Sequence, residues 1–182
     1  MAGDPNKLGR ASALTVLSAV KPRGVPLLRL LFFVGPHLSP LLKPLQRLSF
    51  IHFARWTLVR GLPGQDLRHV HLFFESNFNG TWSQYIDAFS YVVPKHISGI
   101  WRWSYGFPGP LPAGPFKAYI AEHEYEADHF YSAYPEASVT MILAALELRR
   151  DLDRLRARAP SMSAEAFDDA YRDLLTAHQN HL

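Results

Sequence analysis

The chain has no cysteine, which excludes disulfides, thiolate metal sites and cysteine nucleophiles and fits a reducing, cytoplasmic setting. Any acid–base or metal chemistry must therefore come from His, Asp, Glu, Tyr or a bound cofactor. Charge is also scarce, at 19% of residues with a formal net charge of +3. The basic residues are scattered as Lys21, Arg23, Lys43, Arg47 and the series from Arg149 to Arg158. Nucleic-acid binders usually concentrate positive charge on one face, so nucleic acid is not an expected partner. There is no glycine-rich phosphate loop, nucleophile elbow or zincin motif, which sets those enzyme classes aside. No internal repeat is found. Residues 1–20 lack the hydrophobic core and small-residue cleavage site of a secretion signal. The apolar run of residues 25–42 approaches the length of a membrane span, but Arg29, Pro36, His37 and Pro40 interrupt it. A buried or interfacial helix is the better reading.

What is present is a chain of 182 residues, 48% of them hydrophobic, enough for one domain with one sizeable core. Residues 1–12 are small and polar and read as a flexible terminus. Residues 13–20 have the β-branched, alternating character of a strand, ended by Lys21-Pro22-Arg23-Gly24. Pro26 suits a first helical turn, and Leu27, Leu28, Leu30, Leu31 and Val34 continue a helix to Gly35-Pro36. A second helical piece is expected over residues 40–48. Residues 50–59 and 69–78 are aromatic and β-branched, which predicts two antiparallel strands joined by a loop over 60–67. Asn79-Gly80 turns the chain, and Thr81 with Gln84 forms a capping-box pattern. Trp82, Tyr85, Ile86 and Phe89 then share one helical side up to Pro94. Trp101, Trp103 and Tyr105 alternate with polar residues as a strand does. Four prolines between residues 106 and 115 exclude regular structure there. Helices are expected over 116–134 and 138–159, the second burying Val139, Ile142, Leu143, Leu146, Leu148, Leu152 and Leu155, and a last one opens at Ser163.

The order strand, helix, strand, strand, helix, strand is the split βαβ arrangement of a ferredoxin-like α+β fold. The expected organisation is a core over 13–115 with a helical extension over 116–182 packed on the same domain. Helices cover such a sheet on one face only, so a second copy of the chain is the expected cover of the other.

Ile51-His52-Phe53-Ala54-Arg55-Trp56, residues 72–80, Trp103-Ser104-Tyr105-Gly106-Phe107-Pro108 and Tyr131-Ser132-Ala133-Tyr134-Pro135 together resemble bacterial proteins of the dimeric α+β barrel type. Some of these are associated with haem catalases or peroxidases. The resemblance covers roughly residues 13–150. It implies a homodimer and a bound small molecule or haem-like cofactor.

On the strand of residues 69–78, Val70, Leu72, Phe74, Ser76 and Phe78 fall on one side and His69, His71, Phe73, Glu75 and Asn77 on the other. If Arg55 lies opposite Glu75, Leu58 falls opposite Leu72 and the apolar sides of both strands coincide. The bare face then carries Arg55, Thr57, His71, Phe73, Glu75 and Asn77. An imidazole, a carboxylate and a guanidinium over aromatic walls make a candidate small-molecule site. His71 is its acid–base candidate, Arg55 its anchor for an anionic group and Glu75 the orienting partner, with Phe73, Asn77 and Trp103 as ligand-binding walls. The same residues equally read as a structural ion pair beneath a dimer partner. His52 falls on the opposite side, as a satisfied core histidine.

Glu122, Glu126 and His129 stand at i, i+4 and i+7, so one helix would put two carboxylates and an imidazole on one face as a single-metal candidate. A solvated acidic face is the competing reading. The functional expectation is a module binding a small apolar or anionic ligand or a haem-like cofactor, with oxidative chemistry as an extension. Its rival is a homodimeric interaction module without chemistry. That rival docks on a partner protein or on a membrane surface through residues 25–48, from Val25 to Leu48.

Overall fold

In the computed structural model, which describes residues 4–37 and 48–179, the β-branched and aromatic segments assemble into an antiparallel sheet. Strand β1 is Lys7–Leu8, β2 Ala11–Ala19, β3 Ile51–Leu62, β4 Gln65–Asn79 and β5 Glu124–Tyr125. The path is β1-β2-β4-β3, with β5 also on β2. Because β4 occupies one edge of β2 along its whole length, both short strands share the other edge. The helices are α1 Gly24–Val34, α2 Trp82–Val92, α3 Pro94–Trp101, α4 Ala113–His123, α5 Val139–Arg158 and α6 Ala164–His178. The fold is α+β, as its sequence pattern predicts.

Alternation along β2 and β4 decides the layering. Leu14, Val16 and Ser18 from β2, Val20 just after it, and Leu72, Phe74, Ser76 and Phe78 from β4 are all buried. They form one core with Leu28 of α1, Tyr85, Ile86 and Phe89 of α2, Ile97 and Trp101 of α3, and Phe116 and Ile120 of α4. The four helices described in this unit thus pack on one face of the sheet. The β3–β4 register places Arg55 opposite Glu75 and Leu58 opposite Leu72, as required for the two apolar sides to coincide. Thr81 caps α2 through both halves of a capping box, its hydroxyl accepting from Gln84 N while the Gln84 side chain accepts from Thr81 N.

Four expectations need correction. Residues 101–105 do not form a strand: Pro94 opens α3, and Ile97 and Trp101 face the core one turn apart. Only Ser104 joins the sheet, as a single bridge to Val20. Residues 7–12 belong to the sheet edge, not to a loose terminus. The helix expected over 116–134 ends at His123, because Glu124 and Tyr125 pair with Val16 and Thr15 of β2. The extension therefore divides, with α4 in a unit spanning Met1–Glu136 and α5 and α6 in a second spanning Ala137–Leu182. The piece expected over residues 40–48 lies almost wholly outside the described residues.

The second unit is a helical hairpin. Ser138 and Ser163 cap its helices by accepting from Met141 N and Ala166 N. Of the apolar residues expected to be buried along α5, Leu155 is, joined by Ala144, and Leu174 and His178 are buried on α6. Met141, Ile142, Leu143, Leu146 and Leu152 stay exposed, because one partner helix can cover only one stripe of α5. His178 joins the two helices, its Nε2 3.0 Å from Asp151 Oδ2. Among the described residues no helix is long and apolar enough to cross a membrane.

Candidate functional site

The face of the sheet opposite the core is built in rows. Thr15, Glu75 and Arg55 stand side by side on β2, β4 and β3, and next to them come Leu17, Phe73 and Thr57, then Ala19, His71 and Val59. On the other side of the ion pair lie Ala13, Asn77 and Phe53. The Arg55 guanidinium donates to Glu75 Oε2. Arg55 is 63% exposed and Glu75 28%, so the carboxylate sits in the sheet while the guanidinium reaches outward. His71 Nδ1 is buried without a hydrogen-bond partner. The structure thus brings Arg55, His71, Phe73, Glu75 and Asn77 onto one surface. On this surface the Arg55 guanidinium and the Glu75 carboxylate neutralise each other.

Trp103 does not join this set. It packs over Gly24 at the start of α1, where a Cβ on the glycine would come within 2.4 Å of the Trp103 Cβ, and it borders the core. His52 occupies the β-bulge between Ile51 and Phe53, and its Nε2 is unpartnered, so it is not the satisfied core histidine expected. Glu122, Glu126 and His129 are not brought onto one helical face, since α4 ends at His123. No group of three His, Asp or Glu suited to a metal ion assembles among the described residues.

The inner side of the sheet is filled. The space between β2, β4 and helices α2, α3 and α4 is a void of about 10 Å³ lined by Leu14, Phe74, Tyr85 and their neighbours, room for one water at most. Two polar features lie within this unit that the sequence pattern did not indicate. Ser18 and Ser104 are fully buried with hydroxyls 3.0 Å apart, beside the Tyr119 hydroxyl. Burial pushes that phenol up from its ordinary pKa, and it completes no hydrogen bond of normal geometry.

The other feature is a cleft of about 500 Å³ with Asp4, Asn6, Trp82, Glu124 and Glu126 in its lining, beside the edge of β2 that β1 and β5 share. Glu124 Oε2 accepts from Trp82 Nε1 at 2.7 Å, and Oε1 from Asn6 Nδ2 at 3.3 Å. Asn6 Oδ1 in turn accepts from Ala127 N at 2.8 Å. Burial raises the Glu124 pKa above the usual carboxylate range, against the opposing pull of the Trp82 N–H. The arrangement clamps three distant segments, and only the contact between chain segments far apart in sequence reveals it.

Among the described residues the inner void is far too small for a haem-like cofactor, and neither the 500 Å³ cleft nor a more open groove of about 760 Å³ between α1 and β3 has an imidazole in its lining. No protein-family model, curated protein or solved structure matches the chain.

Proposed function

We propose that the protein is a homodimeric small-molecule-binding module. In this reading a second copy closes over the outer face of the sheet, and a ligand bearing an anionic group lies between the copies against Arg55 and His71, with Glu75 orienting the guanidinium. The observation that carries it is the make-up of that face. Leu17, Phe53, Val59 and Phe73 surround one internally neutral ion pair, and the described helices of the same unit pack on the opposite side. Two such faces meet without charge repulsion, and sheet-on-sheet packing at about 10 Å would give this face the enclosure that a ligand site needs. The proposal takes the β2-α1-β3-β4-α2 order, with β4 between β2 and β3, as the ferredoxin-like pattern of a dimeric α+β barrel. On that view β1, the Ser104 bridge and β5 stand where the fourth strand would run.

The test is thermal stabilisation of the purified protein by a panel of small aromatic and aliphatic carboxylates. Saturable stabilisation that is lost in Arg55→Ala and reduced in His71→Ala supports the proposal. A dimer that no carboxylate stabilises would sink the ligand half and leave the rival, an interaction module without a ligand. That second reading is favoured by one observation, that Arg55 and Glu75 already satisfy each other.

A further inference from the structure

The α1 helix has no polar face. Gly24 and Leu28 are buried, with Val25, Leu31 and Phe32 against the core, so the inward side is the ordinary apolar one. The outward side should then be polar. Instead it carries Leu27, Leu30 and Phe33, exposed by 46%, 59% and 75%, at spacings of three residues. Along residues 21–34, which hold the helix and the turn before it, the charged side chains are Lys21, Arg23 and Arg29, all of them basic. A groove of about 760 Å³ continues the surface, with Arg29, Leu30 and Phe33 on the helix side and Trp56 and Arg60 on β3. No carboxylate lies within ion-pair reach of Arg23, Arg29 or Arg60 among the described residues. The sequence carries the same signal at longer range: there is no acidic residue between Asp4 and Asp66, while Lys7, Arg10, Lys21, Arg23, Arg29, Arg55 and Arg60 fall there.

We propose that the outward face of α1 and the adjoining groove dock on the surface of a bilayer containing anionic lipid. Leu27, Leu30 and Phe33 enter the boundary between headgroups and acyl chains, and Arg23, Arg29 and Arg60 meet lipid phosphates or carboxylates from the rim. An apolar ridge edged only by cations is the composition of an interfacial helix. An apolar protein partner would account for the ridge but not for the one-signed rim. The helix spans 11 residues, too short to cross a bilayer, so the contact is peripheral.

Flotation of the full chain with vesicles of phosphatidylcholine alone, and of phosphatidylcholine mixed with phosphatidylserine, tests this at low and high salt. The wild type is expected to float with the mixed vesicles and to release them as salt rises. Leu30→Glu with Phe33→Glu should lower the partition at least about tenfold, from the lost burial of two large side chains. Arg23→Gln and Arg29→Gln should each lower it about fivefold. All four residues are exposed, so circular dichroism should match the wild type. Arg149→Gln with Arg150→Gln, an exposed pair on α5, should leave binding unchanged. Failure of the wild type to float with phosphatidylserine vesicles overturns the proposal. So does an equal loss in the α5 pair, which would mark the binding as unspecific charge attraction. The variants leave Arg55, His71 and Phe73 intact, so this test and that of the sheet face fail independently.

Discussion

Phe73 and Phe74 are neighbours on β4 whose side chains leave the sheet in opposite directions, and replacing each by alanine separates what its two faces do. Phe74 is buried, with ring centroids 5.1 Å from both Trp56 and Trp101, and it lines a void of about 10 Å³. Its surroundings are already close-packed and have little freedom to collapse. Phe74→Ala should therefore fall within the range of about 3–5 kcal/mol for emptying such a site, a large share of a total stability of roughly 5–15 kcal/mol. The loss belongs to the protomer and should not depend on protein concentration. Phe73 points away from the core and pairs with Leu17 and Thr57. Phe73→Ala should cost the protomer about 1 kcal/mol or less, but should lower the unfolding midpoint most at high concentration, where the wild type gains from association. Urea unfolding followed by tryptophan emission is the assay, since Trp56 and Trp101 flank Phe74, and it is run at low and high protein concentration. The reasoning is refuted if Phe73→Ala destabilises as much as Phe74→Ala at every concentration, which would mean that the outer face is covered within one chain.

Thr81→Ala removes the hydroxyl half of the α2 capping box and should cost about 1 kcal/mol in thermal or urea unfolding, with Thr81→Ser restoring most of it. Gly9 has φ +59°, and a Cβ there would meet the Pro135 carbonyl oxygen at 2.3 Å. Gly9→Ala should accordingly cost on the order of 3 kcal/mol from backbone strain and the displaced carbonyl. Glu124 has a raised pKa in the folded state, so the native protein binds more protons than the unfolded chain just above the ordinary carboxylate range. Its contribution is fully present below the unfolded pKa and is lost as pH rises through the folded one. Unfolding measured across mildly acidic pH should show that decline, and Glu124→Gln should flatten it; an unchanged slope in the variant would assign the decline to another group.

The two-faced strand was legible because it is long and strictly alternating. The pairing of Arg55 with Glu75 followed from requiring the apolar sides of two strands to agree, and that is the observed register. Segments that fit two periods were not legible. Trp101, Trp103 and Tyr105 alternate like a strand, but Ile97 and Trp101 are also one helical turn apart, and Pro94 at the helix start decided for the helix. Glu124 leaves the helical pattern for reasons that lie far away in sequence, at Asn6, Trp82 and β2, and it takes the proposed metal face with it. Leucine periodicity predicted α5 correctly as a helix, but a period says only that an apolar stripe exists, not what covers it. Likewise the basic residues around α1 look scattered along the chain, and the fold brings Arg29 and Arg60 to one groove.

The most direct test of the central claim is the mass of the purified protein in solution, by light scattering on a size-exclusion column, beside that of Phe73→Glu. The account predicts twice the protomer mass of 20.6 kDa for the wild type. For the variant it predicts the protomer mass with an unchanged circular dichroism spectrum, because a buried charge on the outer face disrupts only the contact between copies. A wild type that runs at the protomer mass at every concentration, or a Phe73→Glu protein that remains a dimer, would contradict it.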